Sequence, residues 1–120
     1  MLTAIQRNRL EHLEQNRCVL SHFEYDLLFN FIVGARTYRN LSETYIIRAK
    51  NIPVDFITDD EARYFSGVLL NHIWEKYINQ QDEKQVLKYE EVKSQCYKMK
   101  AKEALLFARF KRAHVFSIPF

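Results

Sequence analysis

Only four residues in this chain of 120 routinely interrupt regular structure: Gly34, Gly67, Pro53 and Pro119. Glycine supplies the backbone freedom of tight turns, and proline ends helices, so a chain this poor in both must consist mostly of long regular segments. The good helix formers that fill it make those segments helices. The same scarcity excludes loops that cradle phosphate, which need several glycines to bring backbone amides close to the ligand; neither a P-loop nor a dinucleotide fingerprint can be built here.

From Thr3 to about Tyr38, Leu10, Leu13, Leu20, Phe23, Leu27, Phe31, Ala35 and Tyr38 fall on one stripe at helical spacing. That predicts one long helix, or two with a bend near Ser21. Between Tyr25 and Val33 the other faces are apolar as well, as in a buried central helix. In residues 39–57, Ser42 can cap a short helix over Glu43 to Lys50, although Tyr45, Ile46 and Ile47 also suit a strand; the helix is favoured, with Pro53 ending it. Thr58-Asp59-Asp60-Glu61 is the signature of a capped helix start, with acids at the positive end of the dipole. That helix should reach about Ile78 and bury Ala62, Phe65, Leu69, Ile73 and Tyr77, with Val68, Leu70 and Trp74 available for another contact.

The last predicted helix runs from about Glu83 to His114, with Tyr89, Val92, Cys96, Met99, Leu106, Phe110 and Ala113 on one seam broken only by Glu103. At about 1.5 Å per residue it would be a rod of about 48 Å, longer than a compact monomer of this size needs. Val115 onwards cannot continue the helix past Ile118, because the residue before a proline is pushed toward extended geometry. The expected architecture is therefore all-α: a single domain over residues 1–120, a bundle of three long helices plus one short helix, with an extended apolar C-terminal tail. The rod's length and the surplus apolar faces point to a homo-oligomer or a subunit of a larger complex. With 48% apolar and 28% charged residues the chain can bury a core and remain soluble. No apolar run approaches the roughly 20 residues of a membrane span, and the first fifteen residues lack the core of a secretory signal, so a cytoplasmic setting is the expectation.

Charge is segregated along the chain. Residues 1–50 carry seven basic and five acidic side chains, residues 51–83 two and seven, and residues 84–120 nine and three. On the predicted rod Lys98, Lys102, Arg109 and Arg112 fall within an arc of about 80°, a stripe roughly 21 Å long, with Lys93, Lys100 and Lys111 on the other flank of the seam. Ala101, Ala104 and Ala108 share a further side on which another backbone or a ligand could come close. Such a stripe can neutralise phosphates, giving sequence-independent affinity that falls steeply with salt. Arg7, Arg9 and Arg17 are possible helpers. Lysines flanking an apolar seam are equally what a solvated helix shows, and an acidic protein face would match them too.

Chemistry finds little foothold. Cys18 and His22 are four apart, but zinc needs two more ligands and no second paired spacing exists; no metal or cofactor is expected, and both Cys18 and Cys96 read as reduced, packed thiols. None of the serines has a glycine elbow, and Asp59, Asp60 and Glu61 are explained by capping. A helix-turn-helix around Lys50-Asn51 is matched only weakly, because Pro53 and Asp55 fall where its second helix should begin. The leading expectation is a non-catalytic nucleic-acid-associated protein that grips the phosphate backbone without reading bases. The alternative is a protein-binding adaptor or inhibitor that docks through surplus apolar faces and a basic surface on a partner with an acidic face. In either case Phe116, Ile118 and Phe120 of the tail could fold back over the chain's own core or insert into a neighbour's groove.

Overall fold

The computed structural model describes residues 1–35, 37, 41–48 and 51–114, and the described residues form six α-helices, two short 3₁₀ turns and no strand. The all-α expectation holds. The chain divides into two compact units, Met1–Thr58 and Asp59–Phe120.

In the first unit, α1 spans Ala4–Gln15, α2 His22–Ile32 and α3 Glu43–Arg48. Thr3 opens α1 with a capping box: its hydroxyl accepts from the Gln6 amide at 3.1 Å, and the Gln6 side chain accepts from the Thr3 amide at 2.7 Å. The long N-terminal helix is thus two helices, separated by Asn16 and a 3₁₀ turn at Arg17–Val19. The reason is local. Asn16 closes α1 by donating twice to the His12 carbonyl, from its side-chain amide at 2.9 Å and from its backbone amide at 3.2 Å. Ser21 then accepts from the Glu24 amide at 3.3 Å while the Glu24 carboxylate accepts from the Ser21 amide at 2.8 Å, a second capping box that starts α2. Glu24 is buried, and this bond is what makes a carboxylate tolerable there. At the end of α2, Gly34 adopts φ +78°, the left-handed geometry that a Cβ penalises.

α1 packs against α2 and against the 3₁₀ turn Val54–Phe56. The His12 ring stacks on Phe56 at 4.5 Å, and Arg9 donates to the Phe56 carbonyl at 3.1 Å. Among the described residues, Leu13, Leu27, Leu28, Phe31, Ile32, Ile46, Ile52, Phe56 and Ile57 are the buried apolar residues of this unit. Glu43–Arg48 is helical, so the helix favoured over a strand in that segment is what forms. Tyr38 lies outside the described residues, and Ala35 is exposed beyond the end of α2. Cys18, expected to be packed, is exposed instead, because it falls on the 3₁₀ turn rather than on a helix face.

In the second unit, α4 spans Asp59–Tyr77, α5 Glu83–Lys98 and α6 Ala101–His114. α4 begins directly after Thr58, where the capping pattern places it, and buries Ala62, Phe65, Leu69 and Ile73 on the predicted face, with Ser66, Leu70 and Glu61. Asp82 caps α5, accepting from the Lys84 amide at 3.0 Å. Ile73, Ile78 and Tyr89 form a cluster joined by Trp74 and Val86, with the Trp74 and Tyr89 rings 4.8 Å apart.

The continuous rod over 83–114 does not form. Met99 leaves the helix at φ −83°, ψ 159°, and a new helix starts at Ala101. In place of three long helices and one short one there are six among the described residues, the longest of 19 residues. The break has a packing cause. α6 packs mainly against α4, and the face it turns inward is Ala101, Ala104, Leu105 and Ala108, all buried. A face dominated by alanine lets two helix backbones approach closely, which the seam carrying Leu106 and Phe110 would not. The apolar tail, with Phe116, Ile118 and Phe120, lies outside the described residues.

Candidate functional site

The turn between α5 and α6 fixes what the second unit presents to its surroundings. Helix termini leave backbone carbonyls short of partners, and at the end of α5 donors come from the turn itself and from α4: the Cys96 carbonyl accepts from the Met99 amide at 3.2 Å and from the Arg63 guanidinium at 3.3 Å, and Arg63 also donates to the Met99 carbonyl. The Cys96 thiol, buried and pushed above its usual pKa by that burial, donates to the Ala104 carbonyl at 3.7 Å. On the far side of the turn the Ala104 amide donates to the Lys100 carbonyl at 2.8 Å, the first bond of α6. Sequence reasoning misses Arg63. Its one signal is to be, with Lys76, one of two basic residues in an otherwise acidic segment.

The turn resets the helical register of α6 relative to α5. Neighbouring residues on a helix sit about 100° apart, so Leu105 and Leu106 can meet opposite fates. Leu105 is 0% exposed and Leu106 is 51% exposed. Phe110, one helical turn beyond Leu106, is 53% exposed. Ala113, also on this side, is exposed. The outward side of α6 is therefore an apolar patch built on Leu106 and Phe110, with half-buried Phe107 beside it and the Lys111 ammonium 5.4 Å from the Phe107 ring centre. α6 carries Lys102, Arg109, Lys111 and Arg112 against a single acid, Glu103.

The four cations read as one open stripe are not equivalent. Lys98 ends α5 and is exposed, whereas Lys102 begins α6 and is half-buried. The turn at Met99 and Lys100 lies between them, so the common arc expected of a single rod is lost. Arg109 is half-buried, and desolvation pulls its guanidinium pKa down. The Arg112 Nε donates to His72 Nδ1 at 3.3 Å, and the His72 ring meets the Tyr77 ring edge-on at 5.6 Å. Where Arg63, Lys100 and Lys102 do come together, in a cleft of about 560 Å³, Asp59, Asp60 and Glu103 line the same cleft and match them charge for charge.

The three helper arginines belong to the first unit. Arg7 is exposed on α1, while Arg9 is bound to the Phe56 carbonyl. Arg17 pairs with Glu14 at 3.5 Å and lies 4.3 Å over the Tyr25 ring. The Tyr25 hydroxyl donates to Glu14, and that bond, which favours the neutral phenol, holds its pKa above the usual value. This cluster ties α1 to α2 and leaves Arg17 exposed but balanced by Glu14.

Among the described residues no group of three or more histidine, cysteine or acidic side chains is placed to hold a metal ion, and no helix is long and apolar enough to cross a membrane. No family model, no curated protein and no solved structure matches this chain, so a functional reading rests on the geometry of its own residues.

Proposed function

We propose that this chain is a non-catalytic protein-binding module, an adaptor or inhibitor, that docks a partner on the outward face of α6. The observation that carries the reading is the exposure of two large apolar side chains on one helical face: 51% for Leu106 and 53% for Phe110. Exposed leucine and phenylalanine one turn apart are the anchors of helix-in-groove and helix-on-helix recognition. The cations around them choose the partner's chemistry. Lys111, whose ammonium lies beside the Phe107 ring at the edge of this patch, and the basic balance of α6 favour as occupant an amphipathic segment with an apolar stripe and acidic flanks. A second reading, backbone binding of nucleic acid, is favoured by the nine basic against three acidic residues of positions 84–120. It stands behind the first because Arg112 is engaged within its own unit and Arg109 is half-buried.

The test uses two designed helical peptides sharing an apolar stripe, one with glutamate flanks and one with lysine flanks, together with random duplex and single-stranded oligonucleotides, all read by fluorescence anisotropy at low and moderate salt. The acidic peptide is expected to bind, and Leu106→Glu or Lys111→Glu is expected to weaken it at least tenfold. Oligonucleotide binding that survives Leu106→Glu and collapses with salt would instead establish the phosphate reading.

A further inference from the structure

The turn at Met99 and Lys100 sits in a sequence that has no local reason to turn. From Glu83 to His114 there is neither glycine nor proline, and Lys98, Met99, Lys100 and Ala101 are all good helix formers. None of them is one of the short polar residues that favour a helix N-terminus. Tertiary contacts hold the chain against its own propensity here.

The bonds at the turn show how close the competition is. In an uninterrupted helix the Cys96 carbonyl would accept from the amide of Lys100, and the Met99 carbonyl from that of Glu103, by the i to i−4 rule. Those two carbonyls are the ones Arg63 serves. The guanidinium stands in for the helical hydrogen bond lost at the Met99 carbonyl, while at the Cys96 carbonyl it adds to the Met99 amide, which donates there at 3.2 Å in place of Lys100. Straightening would also return Leu106 and Phe110, both more than half exposed in the bent form, to the seam of Tyr89, Val92, Cys96 and Met99.

We infer that the α5–α6 turn is a hinge for exchanging α6 with a second copy of this chain. In the exchanged dimer α5 and α6 run on as one helix, and the Ala101, Ala104, Leu105 and Ala108 face lies on α4 of the other molecule. Every α4–α6 contact is kept, now between molecules, so the exchange keeps the main packing of α6 and gives up mainly the contacts at the turn, among them the Cys96–Ala104 bond. What it adds is the helical hydrogen bonding across residues 98–103. A two-residue connection between long helices is the geometry in which such exchange is most accessible.

The experiment compares wild type, Arg63→Ala, Ala101→Pro and Leu106→Glu after concentration and brief partial unfolding, by size-exclusion chromatography with light scattering. Proline is tolerated at the first position of a helix, where Ala101 stands in the bent form, but breaks a helix in whose interior it falls. Wild type is expected to give a dimer that persists for hours on dilution. Arg63→Ala should raise its association constant about tenfold, and Ala101→Pro should lower it at least ~100-fold, the cost of proline in each straightened helix. Since Ala101 is buried, Gly-Gly inserted between Met99 and Lys100 provides a second way of penalising the straight form. Nitroxides at Lys84→Cys and Ala113→Cys in a Cys18→Ser background, diluted with unlabelled protein, should report an intrachain separation near ~44 Å in the dimer fraction, set by the helical rise. The inference is overturned by a dimer that Ala101→Pro and the insertion leave unchanged, by one that dissociates within the column run and is lost in Leu106→Glu alone, or by monomer throughout in Arg63→Ala. The middle outcome would leave the docking face of α6 standing while removing the exchange.

Discussion

Leu105 and Leu106 are neighbours of identical chemistry, and exchanging each for alanine measures the register of α6 directly. Leu105 is completely buried, so Leu105→Ala removes three buried carbons and leaves a cavity. At about 0.8 kcal/mol per methylene-sized group the transfer part is about 2.4 kcal/mol, and the unfilled space brings the cost to roughly 3 kcal/mol or more. Leu106 is half exposed already, so Leu106→Ala removes about half that transfer energy and opens no cavity, a cost near ~1 kcal/mol. For a unit of this size about 3 kcal/mol corresponds to a fall of roughly 12 to 24 °C in Tm, or a urea midpoint lower by about 2 M or more. Such a loss is a large part of the stability of a small fold, so an unfolded Leu105→Ala beside a folded Leu106→Ala supports the same ranking. The measurement is urea and thermal unfolding followed by circular dichroism. An uninterrupted rod with its seam inward demands the reverse ranking, with Leu106 the costly position. Equal costs for the two leucines, or a greater cost at Leu106, would refute the turn at Met99 and the packing argument behind it.

Ser21→Ala removes one half of the capping box that starts α2 and is expected to cost about 1 kcal/mol in urea unfolding, with helix content reduced by no more than a turn. Alkaline pH should destabilise the second unit: burial raises the Tyr89 pKa above 10.0 and the Cys96 pKa above 9.0, so the neutral forms are favoured in the fold. Their contribution is complete below the unfolded values and is lost as pH rises through the folded ones, so urea midpoints should fall from about pH 9 upward and less steeply in Tyr89→Phe. Thiol titration with a chromogenic disulfide should find one fast group, Cys18, and one that reacts only on unfolding, Cys96; two fast thiols would contradict the burial of Cys96.

Where the sequence carries its own stop and start signals, the helices are legible without coordinates. Thr58 followed by three acids places the start of α4, and the spacing of Ala62, Phe65, Leu69 and Ile73 names its buried face. Ser21 with Glu24 is a capping pattern too, which is why a bend near Ser21 could be anticipated even though the apolar stripe runs through it. These are local effects, in which a side chain two or three residues away satisfies the backbone, so the residues that decide are adjacent in the chain. The same holds for the helical class itself, which comes from propensity and the scarcity of glycine and proline.

The end of α5 is of the other kind. Nothing between Lys98 and Ala101 distinguishes a turn from a helix interior, and the apolar spacing from Tyr89 to Phe110 argues for continuity. Only once α4 is in place does Arg63 supply donors for the Cys96 and Met99 carbonyls, and only then can the alanine face of α6 close on it. The candidate site inherits that decision: with the turn, Lys98 and Lys102 part company, Arg112 meets His72, and Leu106 and Phe110 face outward. Sequence alone determined that this chain is helical and where most of its helices begin. Tertiary structure decided which side of the last helix is core and which is surface, because that depends on whether a neighbouring helix can supply, from 33 residues away, the hydrogen bonds a broken helix loses.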